Sequence, residues 1–272
     1  MVHRLGAIVG YLAWRKNGEL RRVVETNIRL CFTELDSSEQ SELVRQNLAA
    51  SGMLLLEGGK MWHGEADKTL TLVQAVDGED LLEQARTEQR GVILAMPHLG
   101  CWEIVGLYFA RHYAMTIMYA DRRGRQLEQL VRNARQRTGA TLVPADGSGV
   151  RAMSKALQKQ ELAGIMPDQS PTGSGEFAEF FGQTCFTMTL LPKLASNTNA
   201  VVLFAYAKRL PDSSGFQILV RQSSEDIAQL ELPAALRVIN QDIESLVREV
   251  PDQYWWAYRR FKKRPDGAGS VY

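Results

Sequence analysis

The chain has 272 residues, room for one large domain or two small ones. Hydrophobic residues make up 45% and charged residues 23%, a globular mix that excludes disorder, collagen-like repeats and low complexity as the main state. Lys+Arg number 32 and Asp+Glu 31, a formal net charge of +1, so the overall balance gives no sign of a dedicated nucleic-acid binder.

The first apolar stretch, Leu5 to Trp14, contains two glycines and is followed by Arg15 and Lys16. It is too short to span a bilayer, which takes about 20 apolar residues. Three readings stay open: the tail of an anchor, a helix lying in a membrane interface, or a helix packed on the domain. Leu20 to Phe32 reads as helical. Asp36-Ser37-Ser38-Glu39 starts a further helix, with Ser37 or Ser38 as the cap and acids in the first turn. Leu43, Val44, Leu48, Ser51, Leu54 and Leu55 recur at helical spacings until Gly58-Gly59 interrupts the pattern.

From Gly91 the pattern changes. Short apolar runs at Gly91–Met96, Tyr113–Ala120, Ala140–Pro144, Leu162–Met166, Ala200–Ala207 and Phe216–Val220 each suit a strand. Helical segments at Trp102–Arg111, Arg125–Arg137, Val150–Lys159 and Thr187–Ser196 separate most of them. A last helix is expected at Ala234–Glu249, stopped before Pro251. This alternation predicts an α/β fold: a central mixed or mostly parallel sheet with helices on both faces, preceded by a helical N-terminal region. No internal repeat or Pro/Gly/Ser-rich linker divides the chain. Residues 1–272 therefore read as one domain, with 1–90 a mainly helical N-terminal extension.

Chemistry is concentrated in a few segments. Met96-Pro97-His98-Leu99-Gly100-Cys101-Trp102-Glu103 follows the first buried strand and opens a helix. Ligands of α/β sheets bind beyond the carboxyl ends of strands. Glu103, in the first helical turn, is expected to fold back toward His98, fix its tautomer and make it a general base. The plain alternative is a loop His–Glu pair with satisfied hydrogen bonds. Cys101 in the same segment is either a thiol nucleophile near a helix N-terminus or a small buried hydrophobe. Met166-Pro167-Asp168-Gln169 follows another apolar run and places Asp168 on the same expected rim, as a site residue or as a turn aspartate. Spacing requires no metal site of His98, Glu103 and Asp168. Cys31, Cys101 and Cys185 lie far apart, so neither a disulfide framework nor a cysteine zinc site is expected, and a reducing compartment is the simplest reading.

Six arginines lie between Arg122 and Arg137. They suit either phosphate binding or a solvated helix face. The closing run Tyr254-Trp255-Trp256-Ala257-Tyr258-Arg259-Arg260-Phe261-Lys262-Lys263-Arg264 mixes aromatics with cations. It suits a membrane interface with anionic lipid, single-stranded nucleic acid, or a core plug with an exposed basic tail.

Taken together these segments resemble the bacterial lipid A biosynthesis (late) acyltransferases, within the lysophospholipid acyltransferase superfamily. The resemblance covers most of the chain. It includes N-I-R-L-C-F-T-E-L from Asn27, L-L-L-E-G-G-K-M-W from Leu54, and H-x4-E at His98 and Glu103. It continues with R-x-R-x-G from Arg135, P-D-Q at Pro167–Gln169 and P-D-Q-Y-W-W-A-Y-R-R-F-K-K-R-P from Pro251. H-x4-E alone is short; in this order, with this ending, the pattern is specific. The resemblance implies an O-acyltransferase at the cytoplasmic face of the inner membrane. Such an enzyme moves an acyl chain from acyl carrier protein or acyl-CoA to a hydroxyl of a glycolipid, with a lipid A precursor as the expected acceptor. It carries over His98 and Glu103 as the dyad and Asp168 and Arg135 as further catalytic positions. Arg122, Arg123, Arg137 and Gln169 are expected to bind substrate. No cofactor, metal or nucleic-acid partner is expected. Arg135 or backbone N–H groups after His98 are the expected oxyanion donors. Members usually begin with a full transmembrane helix, and near Tyr119 they carry tyrosine, arginine and proline close together, where this chain reads Tyr119-Ala120-Asp121-Arg122-Arg123. The rival readings are an acyl-thioester hydrolase, an acyltransferase for another lipid acceptor, and a membrane-associated binding protein without catalysis.

Overall fold

The computed structural model describes residues 2–119, 125–265 and 267–272. Three helices come first: α1 (Val2–Lys16), α2 (Glu19–Cys31) and α3 (Ser37–His63). The cap of α3 is Asp36, not Ser37 or Ser38. Its carboxylate accepts from the Ser38 and Glu39 N–H groups while Glu39 accepts from the Asp36 N–H, a reciprocal capping box. α3 also continues through Gly58-Gly59, where the Trp62 ring packs against Gly58.

A short helix α4 (Ala66–Leu70) leads to β1 (Val73–Asp77), α5 (Asp80–Thr87), β2 (Val92–Ala95), α6 (Trp102–His112), β3 (Met115–Tyr119) and α7 (Arg125–Gln136). Then follow β4 (Thr141–Pro144), α8 (Gly147–Gln158), β5 (Leu162–Ile165), β6 (Gly175–Phe180), β7 (Gln183–Met188) and α9 (Leu190–Thr198). The chain closes with β8 (Val201–Arg209), β9 (Phe216–Gln222) and α10 (Leu232–Glu249). Seven strands form one sheet in the order β1-β9-β8-β2-β5-β3-β4. β8 and β9 pair antiparallel, and the other pairings are parallel. The expected mostly parallel α/β sheet with preceding helices is therefore present.

Three strands, β1, β6 and β7, depart from the sequence expectation. β1 lies within the stretch expected to be helical. It is an edge strand with Gln74, Ala75 and Asp77 exposed, so it lacks the apolar run that marks a central parallel strand. Thr187 and Met188, expected in a helix, end the β6–β7 hairpin. Its two-residue turn, Phe181-Gly182, has both φ positive, at 50° and 67°, as hairpin twist demands.

Side chains of β2 alternate between two cores. Ile93 and Ala95 face a cluster with Ile28, Leu48, Leu157 and Ile239, whereas Val92 and Leu94 face one with Met61, Leu82, Ile104 and Phe109. α2 and α3 thus share the core of the sheet. α1 crosses α3 closely: a Cβ on Gly10 would strike the backbone of Leu48 and Ala49, and one on Gly52 the carbonyl of Gly6. Small residues face inward on α1, and large apolar ones face out, with Leu5 50%, Ile8 55%, Val9 43% and Leu12 59% exposed.

Candidate active site

β2 and β5 are buried neighbours, parallel and paired Val92 with Leu162 through Ala95 with Ile165. Each runs straight into Met-Pro: Met96-Pro97-His98 after β2, Met166-Pro167-Asp168 after β5. The Met96 N–H donates to the Ile165 carbonyl at 2.8 Å, extending the ladder beyond the strands. A common register followed by equal loop lengths sets His98 level with Asp168.

The contact is bidentate. His98 Nδ1 lies 2.8 Å from Asp168 Oδ1, and the His98 backbone N–H donates to Oδ2 at 2.9 Å. An ionised carboxylate only accepts, so Nδ1 carries the proton and Nε2 presents its lone pair. The Gln169 amide Nε2 lies 3.1 Å from His98 Nε2 and donates to it. The His98 side chain is 15% exposed and that of Asp168 only 2%, so the imidazole reaches solvent while the carboxylate stays behind it. Burial opposes ionisation of Asp168, but electrostatic attraction to His98 and the two hydrogen bonds from that residue hold the carboxyl below its ordinary value. Tyr254 is buried beside Asp168. Burial first, then the Asp168 charge, push its hydroxyl well above the usual phenol value.

Glu103 is not the partner of His98. It is the second residue of α6, and its carboxylate accepts from Arg135 of α7, at 3.2 Å from Nε and 2.7 Å from Nη2. A largely buried carboxylate gains more from a forked guanidinium than from one imidazole N–H, and Asp168 already holds Nδ1. Asp168 therefore occupies the place expected for Glu103, and Arg135 is tied to Glu103. The expected loop donors are also engaged: Gly100 N–H donates to Gln253 O at 3.0 Å and Cys101 N–H to Ala207 O at 2.9 Å. Arg137 donates to the Met61 and Trp62 carbonyls at the end of α3, so its fork caps a helix. Arg122 and Arg123 lie outside the described residues. Cys101 is buried in the core, and burial, then the Glu57 charge, raise its thiol well above the usual value, which disfavours a thiolate nucleophile. Among the described residues no three His, Cys, Asp or Glu side chains gather as a metal would need.

Aromatic residues complete the rim. The Trp102 ring stands edge-on to His98 at 4.9 Å between centroids and to Trp255 at 5.9 Å. The Trp255 N–H donates to the His98 carbonyl at 2.9 Å. This segment is held by two buried asparagines: Asn47 Nδ2 donates to the carbonyls of Asp252 and Tyr254, and Asn27 Nδ2 to those of Trp256 and Tyr258. Much of the closing run is thus internal. Tyr254, Trp256 and Phe261 are buried. So is Arg260, which donates to the Phe186 carbonyl and Thr187 Oγ1. Arg259, Lys262 and Lys263 remain exposed. Sequence reasoning passed over the pairing of His98 with Asp168, although the repeated Met-Pro after two buried strands signals it. It also passed over Trp102, Trp255 and Tyr254 as neighbours of the imidazole.

The family model for bacterial lipid A biosynthesis acyltransferases matches residues 1–263. The lipid A biosynthesis lauroyltransferase of Escherichia coli (strain K12) is 28% identical over 100% of this chain and 89% of its own length. The palmitoleoyltransferase of the same organism is 27% identical over 98% of this chain and 87% of its own. Its myristoyltransferase is 23% identical over 98% and 82%. With the family match running nearly end to end, the chain belongs to the bacterial lipid A biosynthesis acyltransferases.

Proposed function

We propose that this protein transfers a fatty acyl chain from an acyl thioester, carried by acyl carrier protein or CoA, to a hydroxyl of a lipid A precursor. His98 is the general base. The observation that carries this reading is the buried carboxylate on Nδ1, which leaves the Nε2 lone pair as the acceptor, held in this structure by the Gln169 amide. The acceptor hydroxyl displaces the Gln169 amide from Nε2. As its oxygen bonds to the thioester carbonyl carbon, its proton passes to Nε2, and Asp168 stabilises the imidazolium. Collapse of the tetrahedral intermediate breaks the C–S bond, and the imidazolium returns the proton to the departing thiolate. No covalent acyl-enzyme is needed. Glu103 and Arg135 act through α6, fixing the turn that sets Trp102 against the imidazole.

A lipid acceptor requires the site to work at a bilayer, here the cytoplasmic face of the inner membrane. No helix among the described residues is long and apolar enough to cross a membrane. The outward Leu5, Ile8, Val9 and Leu12 of α1 suit insertion into an interface, and the exposed Arg259, Lys262 and Lys263 suit anionic headgroups.

The test is acyl transfer by the purified protein from a labelled acyl thioester to a lipid A precursor in mixed micelles, read by mass spectrometry. One added acyl group, lost in a folded His98→Ala variant by at least about a hundredfold, is the expected result. Release of free fatty acid with no acylated lipid identifies a thioesterase, with water in place of the hydroxyl. Normal transfer by folded His98→Ala removes His98 from the mechanism.

A further inference from the structure

A second buried charge pair lies behind the His98 loop, and the acyl-transfer reading makes no use of it. Glu57 of α3 and Arg209, the last residue of β8, are 3% and 6% exposed at their side chains. Arg209 Nε and Nη2 donate to the two Glu57 oxygens at 2.7 and 2.9 Å. His3 Nε2 of α1 lies 2.8 Å from the same carboxylate. A buried ion pair is a poor source of net stability, since desolvation offsets most of the attraction and a well-packed apolar pair often does as well. Its remaining donors are therefore the informative feature.

Those donors converge on the His98 loop. Arg209 Nη2 also donates to the Gly100 carbonyl at 3.3 Å. The Arg209 backbone N–H and Nη1 both reach Gln253 Oε1, at 2.9 and 3.4 Å. The Gln253 carbonyl in turn accepts from the Gly100 N–H. Gly100 has φ +62°, and a Cβ there would collide with the Ala207 carbonyl oxygen. The peptide two residues after His98 is thus pressed onto the end of β8. Its carbonyl is held by the Arg209 side chain and its N–H by a residue that Arg209 also holds.

We propose that Arg209, oriented by Glu57, is a positioning residue that sets the height of the His98 loop relative to Asp168; this rests on His98 being the base. β2 and β5 fix where the two loops begin. The Arg209 clamp fixes where the His98 loop turns into α6, and so how far the imidazole stands from the buried carboxylate. Displacement of a reacting group by about 1 Å costs on the order of a hundredfold in rate without weakening binding.

The experiment is steady-state kinetics of Arg209→Lys and of the paired variant Glu57→Leu/Arg209→Met, with melting temperature and near-UV circular dichroism as fold checks. The paired variant removes both members of the ion pair, whereas Arg209→Met alone would leave the buried Glu57 carboxylate with His3 as its one basic partner among the described residues. A folded paired variant is expected to lose about ten- to a hundredfold in kcat with KM for both substrates unchanged. Arg209→Lys, which keeps the charge on Glu57 but not the reach to the Gly100 carbonyl, is expected to recover only part of that loss. A folded paired variant with kcat within twofold of the parent, or a loss confined to KM, overturns the proposal. So does full recovery with Arg209→Lys, because charge alone would then suffice. His98→Ala assayed alongside separates the two ideas: if it stays active, the base assignment fails whatever Arg209 does.

Discussion

Asp168→Asn is nearly isosteric, so its effect isolates hydrogen-bond polarity and charge. The native carboxylate accepts twice from one residue, from Nδ1–H at Oδ1 and from the backbone N–H of His98 at Oδ2. An amide offers one acceptor and one donor, so one of the two contacts must fail. If the amide NH2 faces the backbone, a buried N–H goes unsatisfied, at a cost of about 1–3 kcal/mol in stability. If it faces Nδ1, the imidazole must move its proton to Nε2, where the lone pair is needed. In the Ser-His-Asp template the corresponding change lowers kcat by about 10⁴. Either orientation also removes the charge that stabilises the imidazolium. We expect a fall in kcat of about 10² to 10⁴, roughly 3–5 kcal/mol in barrier, with KM little changed. Single-turnover acyl transfer at saturating donor and acceptor reads this directly, with the melting temperature as the control for folding. A folded Asp168→Asn enzyme with kcat within threefold of the parent would refute the assignment of Asp168 as the partner of His98.

Glu103→Gln and Arg135→Gln are expected to be strongly non-additive in both stability and kcat, because each residue is the other's partner. Additive effects in a double-mutant cycle would show that the pair does not act as a unit. Gly100→Ala is expected to destabilise the protein and abolish transfer, since it forces a Cβ onto the Ala207 carbonyl at positive φ; a normal melting temperature contradicts this. Asp168 and Glu57 both have folded pKa values below their ordinary ones. The unfolded chain therefore binds their protons more tightly, and their contribution is complete above about pH 4–5. It is lost as pH falls through the lower folded values. Asp168→Asn should flatten this acid limb in urea titrations, and an unchanged slope counts against the shift. Ile8→Ser/Leu12→Ser should weaken sedimentation with vesicles of any charge, whereas salt should weaken binding only to anionic ones. Unchanged binding by the double variant would exclude α1 as the inserting face.

The amino-acid sequence by itself determined the local parts of this protein. Apolar runs of strand length marked β2, β5 and β8 because buried parallel strands need no polar face, and their ends located the segments that carry His98 and Asp168. It also disclosed the family, through motifs spread from Asn27 to Pro265. It passed over β1, whose exposed edge position relaxes the demand for apolar residues. Only the tertiary structure decided which carboxylate meets the imidazole. A separation of five residues around a strand–helix corner sets how far Glu103 can reach but not the direction in which it points. Asp168 lies 70 positions from His98, and it arrives only because β5 lies beside β2 in matched register. The same holds for Arg260, which the sequence offered as a surface cation and the fold buries beneath the β6–β7 hairpin. It holds also for Glu57 and Arg209, 152 positions apart. Strand order and helix crossing are collective outcomes of packing, and such contacts leave no periodic trace in the residues that make them.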